Sequence, residues 1–142
     1  TSDLLNKKSG LLGVSGLSND FRNLAEECGK GNARAVLAIE MFCYRVRKYI
    51  GSYMAVLGRT DAIVFTAGIG ENAPVVREKS IENLEPLGVV LDRAANAAAV
   101  GREAEITAPG STVRAFAIPT DEELRIAFDT YRAAAAGPSS GG

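Results

Sequence analysis

The chain has 142 residues, with 16 lysines and arginines against 17 aspartates and glutamates, a formal net charge of −1, and no histidine or tryptophan. A domain of about this length buries roughly 70% of its unfolded surface, so one core can form without disulfides or a structural metal. The balanced charge disfavours a nucleic-acid partner, and the missing histidine excludes a Ser-His-Asp triad or a histidine-ligated zinc within these residues.

The two cysteines, Cys28 and Cys43, do not form the pattern of a secreted disulfide framework, and we expect both to be reduced thiols. No run reaches the roughly 18 to 20 apolar residues that a membrane span requires. The first residues also lack the basic and apolar pattern of a secretory signal. These features lead us to expect a soluble cytoplasmic protein that binds neither membrane nor nucleic acid.

The first part of the chain is predicted to be a loop followed by two helices. Residues 4–17 are rich in glycine and serine, which favours an ordered loop. Asn19 and Asp20 can cap a short helix over residues 21–27. From residue 32 to residue 57, apolar residues recur at three- and four-residue steps, which predicts a long helix. Its apolar face is broad enough to contact both a sheet and another subunit.

After residue 57 the pattern changes to short apolar runs. Residues 62–66 form an unalternated run, as expected of a parallel strand covered on both faces. Residues 68–70 then turn the chain, and Pro74 opens a helix to about residue 83. Further strands are predicted at residues 88–92 and 113–118.

A helix is predicted between these two strands, at residues 93–101, and a closing helix at residues 122–132. Residues 133–142 offer no side chains to bury, so we expect a mobile tail there. The alternation of helices and strands predicts the α/β class, with a mostly parallel sheet flanked by helices.

Two glycines mark a candidate ligand site. Gly68 and Gly70 follow a predicted strand and precede a helix, where nucleotide sites form in α/β sheets. Glycine lets the backbone approach a phosphate or a base, and a helix start presents unpaired amides. Gly68-x-Gly70-x-x-Ala73 also matches the dinucleotide pattern, with Asp92 placed to hold a ribose. A nicotinamide-dependent dehydrogenase domain is therefore one alternative, and a glycine turn without a ligand is another.

Three longer motifs resemble a single family. Residues 5–22 (LNKKSGLLGVSGLSNDFR), 65–72 (FTAGIGEN) and 118–124 (IPTDEEL) follow the order found in the C-terminal portion of acetate kinases. The likeness runs from residue 4 to about residue 131 and covers only the end of the family's polypeptide. It implies the two-domain, actin-like (ribonuclease H-like) architecture shared with sugar kinases, with residues 1–132 as the C-terminal part of an acetate kinase-like nucleotide-binding domain.

The resemblance also implies an activity and a set of site residues. Members of the family reversibly transfer the γ-phosphoryl group of ATP to acetate with Mg²⁺, which forms acetyl phosphate. By this resemblance, two groups of residues would face the adenosine of ATP or ADP from opposite sides: Asp20, Phe21 and Arg22 on one, and Gly68, Ile69, Gly70, Glu71 and Asn72 on the other. For Asp20 the alternative is the helix cap, and for Arg22 it is a surface ion pair.

The family's magnesium-associated glutamate corresponds to Glu122. The alternative for this region is structural, because Thr120-x-x-Glu123 matches a capping box and acidic residues are favoured in a first helical turn. A magnesium ion would be held partly through water. Residue 121 is an aspartate where the family usually has asparagine, which adds a negative charge beside this position.

No catalytic residue is assigned within the chain. In the family, the histidines and arginines around the transferred phosphoryl group and the acetate pocket come from earlier sequence. We therefore expect the isolated chain to be inactive, and propionate or another short acid remains an alternative acceptor. The family's homodimer and the bare edge expected for the strand at residues 62–66 favour self-association, or association with the missing part. A non-catalytic dimerisation module is the last alternative.

Overall fold

The computed structural model describes residue 2 and residues 8–135 of the chain. In chain order its elements are α1 (Gly10–Ser15), α2 (Phe21–Gly29), α3 (Ala33–Leu57), β1 (Ala62–Phe65), α4 (Ala67–Asn72), α5 (Pro74–Ile81), a 3₁₀ turn (Glu85–Leu87), α6 (Arg93–Ala98), β2 (Ala104–Glu105), β3 (Arg114–Ala117) and α7 (Glu122–Ala135). None of the helices in this described part combines the length and hydropathy that crossing a membrane requires.

The two helices predicted from capping and periodicity are confirmed. In α3 the side-chain oxygen of Asn32 accepts hydrogen bonds from the first-turn amides of Arg34 and Ala35, and Gly58, with φ of 71°, ends the helix. These are the orphan amides that an N-cap side chain satisfies. Asp20 caps α2 in the same way, and α2 continues to Gly29, two residues beyond the predicted end.

The three strands form one mixed sheet in the order β1-β3-β2. β1 and β3 are parallel, with Ala62 opposite Arg114, whereas β2 runs antiparallel to β3. The prediction of the α/β class is confirmed, and two of the three predicted strands, those at residues 62–66 and 113–118, are present. β2 was not predicted, because a two-residue strand is too short to show an alternating pattern.

Three local predictions in the loops and turns are wrong. Residues 10–15, within the predicted loop at 4–17, form α1, and residues 4–7 lie outside the described residues. Residues 68–70 are helical rather than a turn, because α4 begins at Ala67 immediately after β1. Residues 88–92 form no strand. Their strand-like pairing is an isolated antiparallel bridge between Leu91 and Thr107.

The ends of three later helices also differ from the predictions. α5 ends at Ile81, shortly before Asn83 adopts a φ of 64°, and α6 ends at Ala98. α7 continues to Ala135, three residues into the predicted tail. Residues 136–142 lie outside the described residues, so the predicted domain boundary at residue 132 stays a prediction.

Two clusters of buried residues form the core. One packs the sheet against the segments that surround it and includes Phe65, Ile81 and Ala115. The other joins α1, α2 and the first half of α3 and includes Phe21, Ile39 and Val76. Both α3 and α5 contribute to both clusters, and they pack along each other. These two helices therefore fix the position of the sheet relative to α2.

The outer surface of β1 is open within the described residues. Val64 is 51% exposed, and β1 pairs on one edge only, with β3. The prediction that both faces of this strand are covered is therefore wrong for the described chain. The bare edge expected from the sequence is present among these residues, and an unpaired apolar edge offers backbone groups to a further strand.

A polar cluster lies on the exposed side of β2 and β3. Arg114 donates a hydrogen bond from Nε to Oε1 of Glu105 at 3.0 Å and forms an ion pair with the other oxygen. Its guanidinium also lies 4.7 Å from the ring centroid of Phe116. The hydrogen bond from Arg114, and to a lesser extent the one from Thr107, lowers the pKa of the Glu105 carboxyl from 4.5 to about 2.

Removing the cation should therefore raise the pKa of Glu105. We expect Arg114→Met to move it from about 2 most of the way towards 4.5, and Thr107→Val to cause a smaller rise. Because the folded pKa is depressed, ionised Glu105 stabilises the fold fully above the unfolded pKa, and this contribution is lost as the pH falls through about 2. NMR titration of the Glu105 side chain measures both effects, and an unchanged pKa in Arg114→Met would show that the guanidinium does not stabilise the ionised carboxylate.

Candidate nucleotide-binding site

The junction between β1 and α4 is strained. Thr66 is extended, and the next residue, Ala67, has a φ of 59°. The left-handed region disfavours a residue with a Cβ, so this conformation persists only where the surroundings impose it. A strained turn at the carboxyl end of a parallel strand is typical of a functional site.

The two glycines of α4 serve different purposes. A Cβ on Gly70 would lie 3.0 Å from the backbone carbon of Phe65, so this glycine lets α4 fold back closely on β1. A Cβ on Gly68 would meet no heavy atom within 4 Å, and Gly68 is exposed. The space beside Gly68 is therefore open to a ligand, whereas Gly70 is required by packing.

A buried arginine holds the end of α4. Arg77, on α5, is 0% exposed and donates to the carbonyl oxygens of Gly70 and Glu71 at 2.7 and 3.0 Å. It also donates to the carbonyl oxygens of Asn96 and Ala99 and to Oδ1 of Asn96, at 2.6–2.8 Å. The acceptors lie at the C-terminal ends of α4 and α6, where carbonyl groups lack helical partners and carry partial negative charge. Burial lowers the pKa of the guanidinium.

Asp20 and Arg22 form an exposed pair at the start of α2. The Asp20 carboxylate accepts the Arg22 amide at 2.8 Å, and it also accepts the guanidinium through Nη2 at 2.8 Å and Nε at 3.3 Å. The hydrogen bond with the Arg22 side chain is the main reason that the pKa of Asp20 is lowered and that of Arg22 is raised. The Arg22 side chain is 87% exposed, so the face of its guanidinium is accessible.

The two predicted groups of site residues converge on one hydrophobic cluster. Phe21, from the first group, is a buried member of this cluster. Ile69, from the second group, packs against the same cluster, as does the nearby Ala73. The Phe21 ring lies 6.0 Å from the ring of Phe42, between centroids, so its side chain serves the core. Only the backbone of Phe21 is therefore available to contact a ligand.

The two polar residues at the end of α4 are both hydrogen-bonded. The Asn72 side chain donates to the carbonyl oxygen of Gly68 at 3.0 Å. Oε1 of Glu71 accepts two hydrogen bonds from Thr120, one from its hydroxyl and one from its amide, each at 2.7 Å. These two hydrogen bonds lower the pKa of the Glu71 carboxyl, and the bond from the Thr120 hydroxyl has the larger effect.

The segment with the predicted metal residue begins α7. Glu122 is the first residue of this helix, and its side chain lies outside the described part of the structure. Asp121, with φ of 43°, accepts the Leu124 amide at 3.3 Å through Oδ1. The predicted capping box is wrong, because both the hydroxyl and the amide of Thr120 bond to Glu71. Among the described residues, no group of three or more acidic, cysteine or histidine side chains could hold a metal ion.

The remaining sequence candidate, Asp92, is engaged in a structural role. Its carboxylate accepts the Ala95 amide at 2.9 Å and caps α6. Sequence reasoning missed the roles of Arg77, Asn96 and Thr120. The hydrogen bonds that define these roles join residues 6 to 49 positions apart. The arginine lies in a short helix, and no local sequence pattern distinguishes it from a surface residue.

A parallel strand that ends in a strained glycine helix is typical of nucleotide-binding α/β proteins. Residues 1–128 match the Acetokinase family, and the chain belongs to this family. It is 58% identical over 132 residues to acetate kinase from Caldicellulosiruptor saccharolyticus, a match that covers 92% of this chain and 33% of that protein.

Two solved structures are similar to most of this chain. The crystal structure of Porphyromonas gingivalis acetate kinase matches with a TM-score of 0.85 and 46% identity, over 92% of this chain and 33% of that one. A propionate kinase from Francisella tularensis matches with a TM-score of 0.78 and 43% identity, over 89% and 32%. The expected fold class, part of an actin-like domain, is confirmed, and the chain spans about a third of the length of these relatives.

The buried arginine gives a direct test of the site's architecture. We expect Arg77→Leu to lower the free energy of unfolding by about 3 kcal/mol or more, because it leaves several buried carbonyl groups without donors. Arg77→Lys should recover only part of this loss, because an ammonium group lacks the planar fork of a guanidinium and cannot reach both helix ends. Urea unfolding measures the change.

Arg59→Leu is the matched control for this prediction. Arg59 forms an ion pair with Asp61 but its side chain is 86% exposed, so we expect a change within about 0.5 kcal/mol. Equal stabilities of Arg77→Leu and Arg59→Leu would show that the buried hydrogen bonds do not hold the fold.

Proposed function

We propose that this chain supplies the adenosine-binding part of an acetate kinase, which reversibly transfers the γ-phosphoryl group of ATP to acetate. The observation that carries the proposal is the convergence of the α2 start and α4 on one hydrophobic cluster, with open space beside Gly68. Membership of the Acetokinase family supplies the reaction. Family membership gives no support to the nicotinamide-dehydrogenase alternative. That alternative also needs Asp92 to hold a ribose, whereas its carboxylate caps a helix.

The proposed adenosine contacts follow from the geometry of the two segments. The backbone around Gly68, Ile69 and Gly70 offers a surface that a planar ring can approach, because the space beside Gly68 is empty. From the other side, Arg22 can stack the face of its guanidinium on the base. Asp20 holds the edge of the same guanidinium by hydrogen bonds. Asp20 can therefore cap α2 and orient Arg22 at the same time, without touching the nucleotide.

Magnesium is the proposed metal cofactor, with Glu122 as its residue in this chain. Mg²⁺ is usually held by one or two carboxylates together with substrate phosphates and water, so a cage of three protein ligands is not required. When bound, the ion would neutralise charge on the transferred phosphoryl group. Asp121 accepts the Leu124 amide at the start of α7, and the choice of Glu122 as the metal carboxylate comes from the family resemblance.

The remaining parts of the enzyme are proposed to come from sequence outside this chain. Phosphoryl transfer needs cationic and hydrogen-bonding groups around the moving phosphoryl, and the chain has no histidine. The relatives are about three times as long. We assign acetate as the acceptor because the similar proteins are named acetate kinases, and propionate is the alternative that the Francisella tularensis structure favours.

We also propose that the cytoplasmic enzyme is a homodimer that associates through α3. Several apolar and aromatic side chains of this helix are exposed, among them Tyr44 at 58%, Tyr53 at 64% and Val56 at 81%. An apolar groove of about 580 Å³ lies between α1 and the same helix and shares no residue with α4. An exposed apolar surface of this kind marks an interaction site.

Filling the space beside Gly68 should abolish nucleotide binding. We expect Gly68→Val to weaken ADP binding by roughly 100-fold or more, because the branched side chain occupies the proposed adenosine space. Isothermal titration with ADP measures the loss. Sedimentation should show unchanged self-association, since α3 is not altered.

The control is Gly29→Val, another exposed glycine whose added Cβ would meet nothing within 4 Å. It should bind ADP as the wild-type chain does. If Gly68→Val bound ADP with unchanged affinity, the dimerisation module would be the better assignment. If NADH, but not ADP, stabilised the wild-type chain, the dehydrogenase alternative would return.

The isolated chain should be inactive. We expect no acetyl phosphate from ATP and acetate with the purified 142-residue chain, because the groups around the transferred phosphoryl group are proposed to lie elsewhere. Adding a separately produced N-terminal fragment of a relative, which covers the remaining two-thirds, should restore activity. Turnover by the chain alone, after removal of contaminating kinase, would overturn this part of the proposal.

A further inference from the structure

The contact between Glu71 and Thr120 joins two parts of the proposed site. Glu71 is the penultimate residue of the glycine-containing helix α4, whereas Thr120 lies two residues before Glu122. One carboxylate oxygen receives both the hydroxyl and the amide of Thr120 at 2.7 Å. Hydrogen bonds to an ionised acceptor are roughly twice as strong as neutral ones, so this contact is well suited to hold the segment in place.

α7 has little other support within the described residues. Its apolar side chains point outwards, and Leu124, Ile126 and Tyr131 are 64–72% exposed. Before the helix, the Ile118 amide donates to the carbonyl oxygen of Phe65, which continues the pairing of β3 with β1. The position of residues 120–122 therefore depends strongly on Glu71.

Glu71 itself is held firmly from the other side. Its carbonyl oxygen accepts Arg77 Nη1 at 3.0 Å and the Gly101 amide at 3.3 Å. The backbone of Glu71 is thus tied to the core, while its side chain reaches out to Thr120. A residue with a fixed backbone and a charged, hydrogen-bonded side chain is a suitable anchor for a mobile or weakly packed neighbour.

We infer that Glu71 is a positioning residue, which fixes the start of α7, and with it Glu122, relative to the nucleotide-binding helix. In this assignment the Glu71 carboxylate does not contact the nucleotide, although it lies within the glycine motif. The inference rests on the proposed function for the roles of α4 and Glu122. The geometry of the Glu71–Thr120 contact does not depend on it.

The first experiment tests the contact itself by hydrogen exchange of the 142-residue chain. The Leu124 and Arg125 amides bond to Asp121 in the first turn of α7, so they report on its start. We expect these amides to exchange about tenfold faster or more in Glu71→Ala. Thr120→Val should give a smaller increase, and Thr120→Ser, which keeps the hydroxyl, should match the wild type.

Amides of α5 serve as the internal control, because they should exchange at the wild-type rate if the core of the variant is intact. Unchanged exchange at Leu124 and Arg125 in Glu71→Ala would overturn the inference. If Glu71→Ala fails to fold, Thr120→Val still tests the same contact without altering α4.

The second experiment separates a positioning role from direct nucleotide contact. Affinities for ADP are measured by calorimetry with and without Mg²⁺ in the wild type, Glu71→Ala, Thr120→Val and the double variant. A positioning role predicts that metal-free ADP affinity stays within about twofold in every variant, while the gain caused by Mg²⁺ falls. The double variant should lose no more than Glu71→Ala alone, because both changes break one contact.

Direct contact of Glu71 with the nucleotide predicts a different result. Metal-free ADP affinity would then fall in Glu71→Ala and remain unchanged in Thr120→Val, which would overturn the inference. If the wild-type chain bound no ADP, the proposed function would fail, and the hydrogen-exchange result would still decide whether Glu71 positions α7.

Discussion

A single buried guanidinium fixes the architecture of the proposed site. Arg77 joins the C-terminal ends of α4 and α6, which are both only six residues long. Helices this short are not stable by themselves and depend on tertiary contacts. The helix ends supply partial negative charge and carbonyl acceptors, so the buried cation is compensated without a carboxylate. The shape of the glycine helix thus depends on a residue outside the glycine motif.

The same arrangement separates the rigid part of the site from its weakly held part. Gly70, packed against Phe65, and Arg77 tie α4 to the sheet. α7 extends from this core with exposed apolar side chains, and β1 has an unpaired edge among the described residues. The chain spans about a third of the length of its relatives, and exposed apolar surfaces of this kind mark interaction sites. The rigid part carries the proposed adenosine contacts, and the exposed part carries the proposed metal residue.

The sequence predicted best those features that depend on local chemistry. The α3 boundaries were correct to one residue because Asn32 and Gly58 have strong capping preferences. The strand at 88–92 was wrong because its apolar residues pack as a loop against the sheet, with a single bridge at Leu91. α4 was missed because glycines usually weaken helices, and tertiary contacts here outweigh that preference. The Glu71–Thr120 contact spans 49 positions and has no local signature.

The charges around the proposed site explain why this part of the molecule suits adenosine rather than phosphate. Two of its predicted residues, Asp20 and Glu71, are acidic and would repel a polyphosphate at close range. Each carboxylate is instead occupied by a donor of this chain, Asp20 by Arg22 and Glu71 by Thr120. An uncharged nucleoside meets no such repulsion, and the glycine backbone beside it needs no compensating cation. In the proposed function, the phosphate groups of the nucleotide therefore extend away from these two carboxylates.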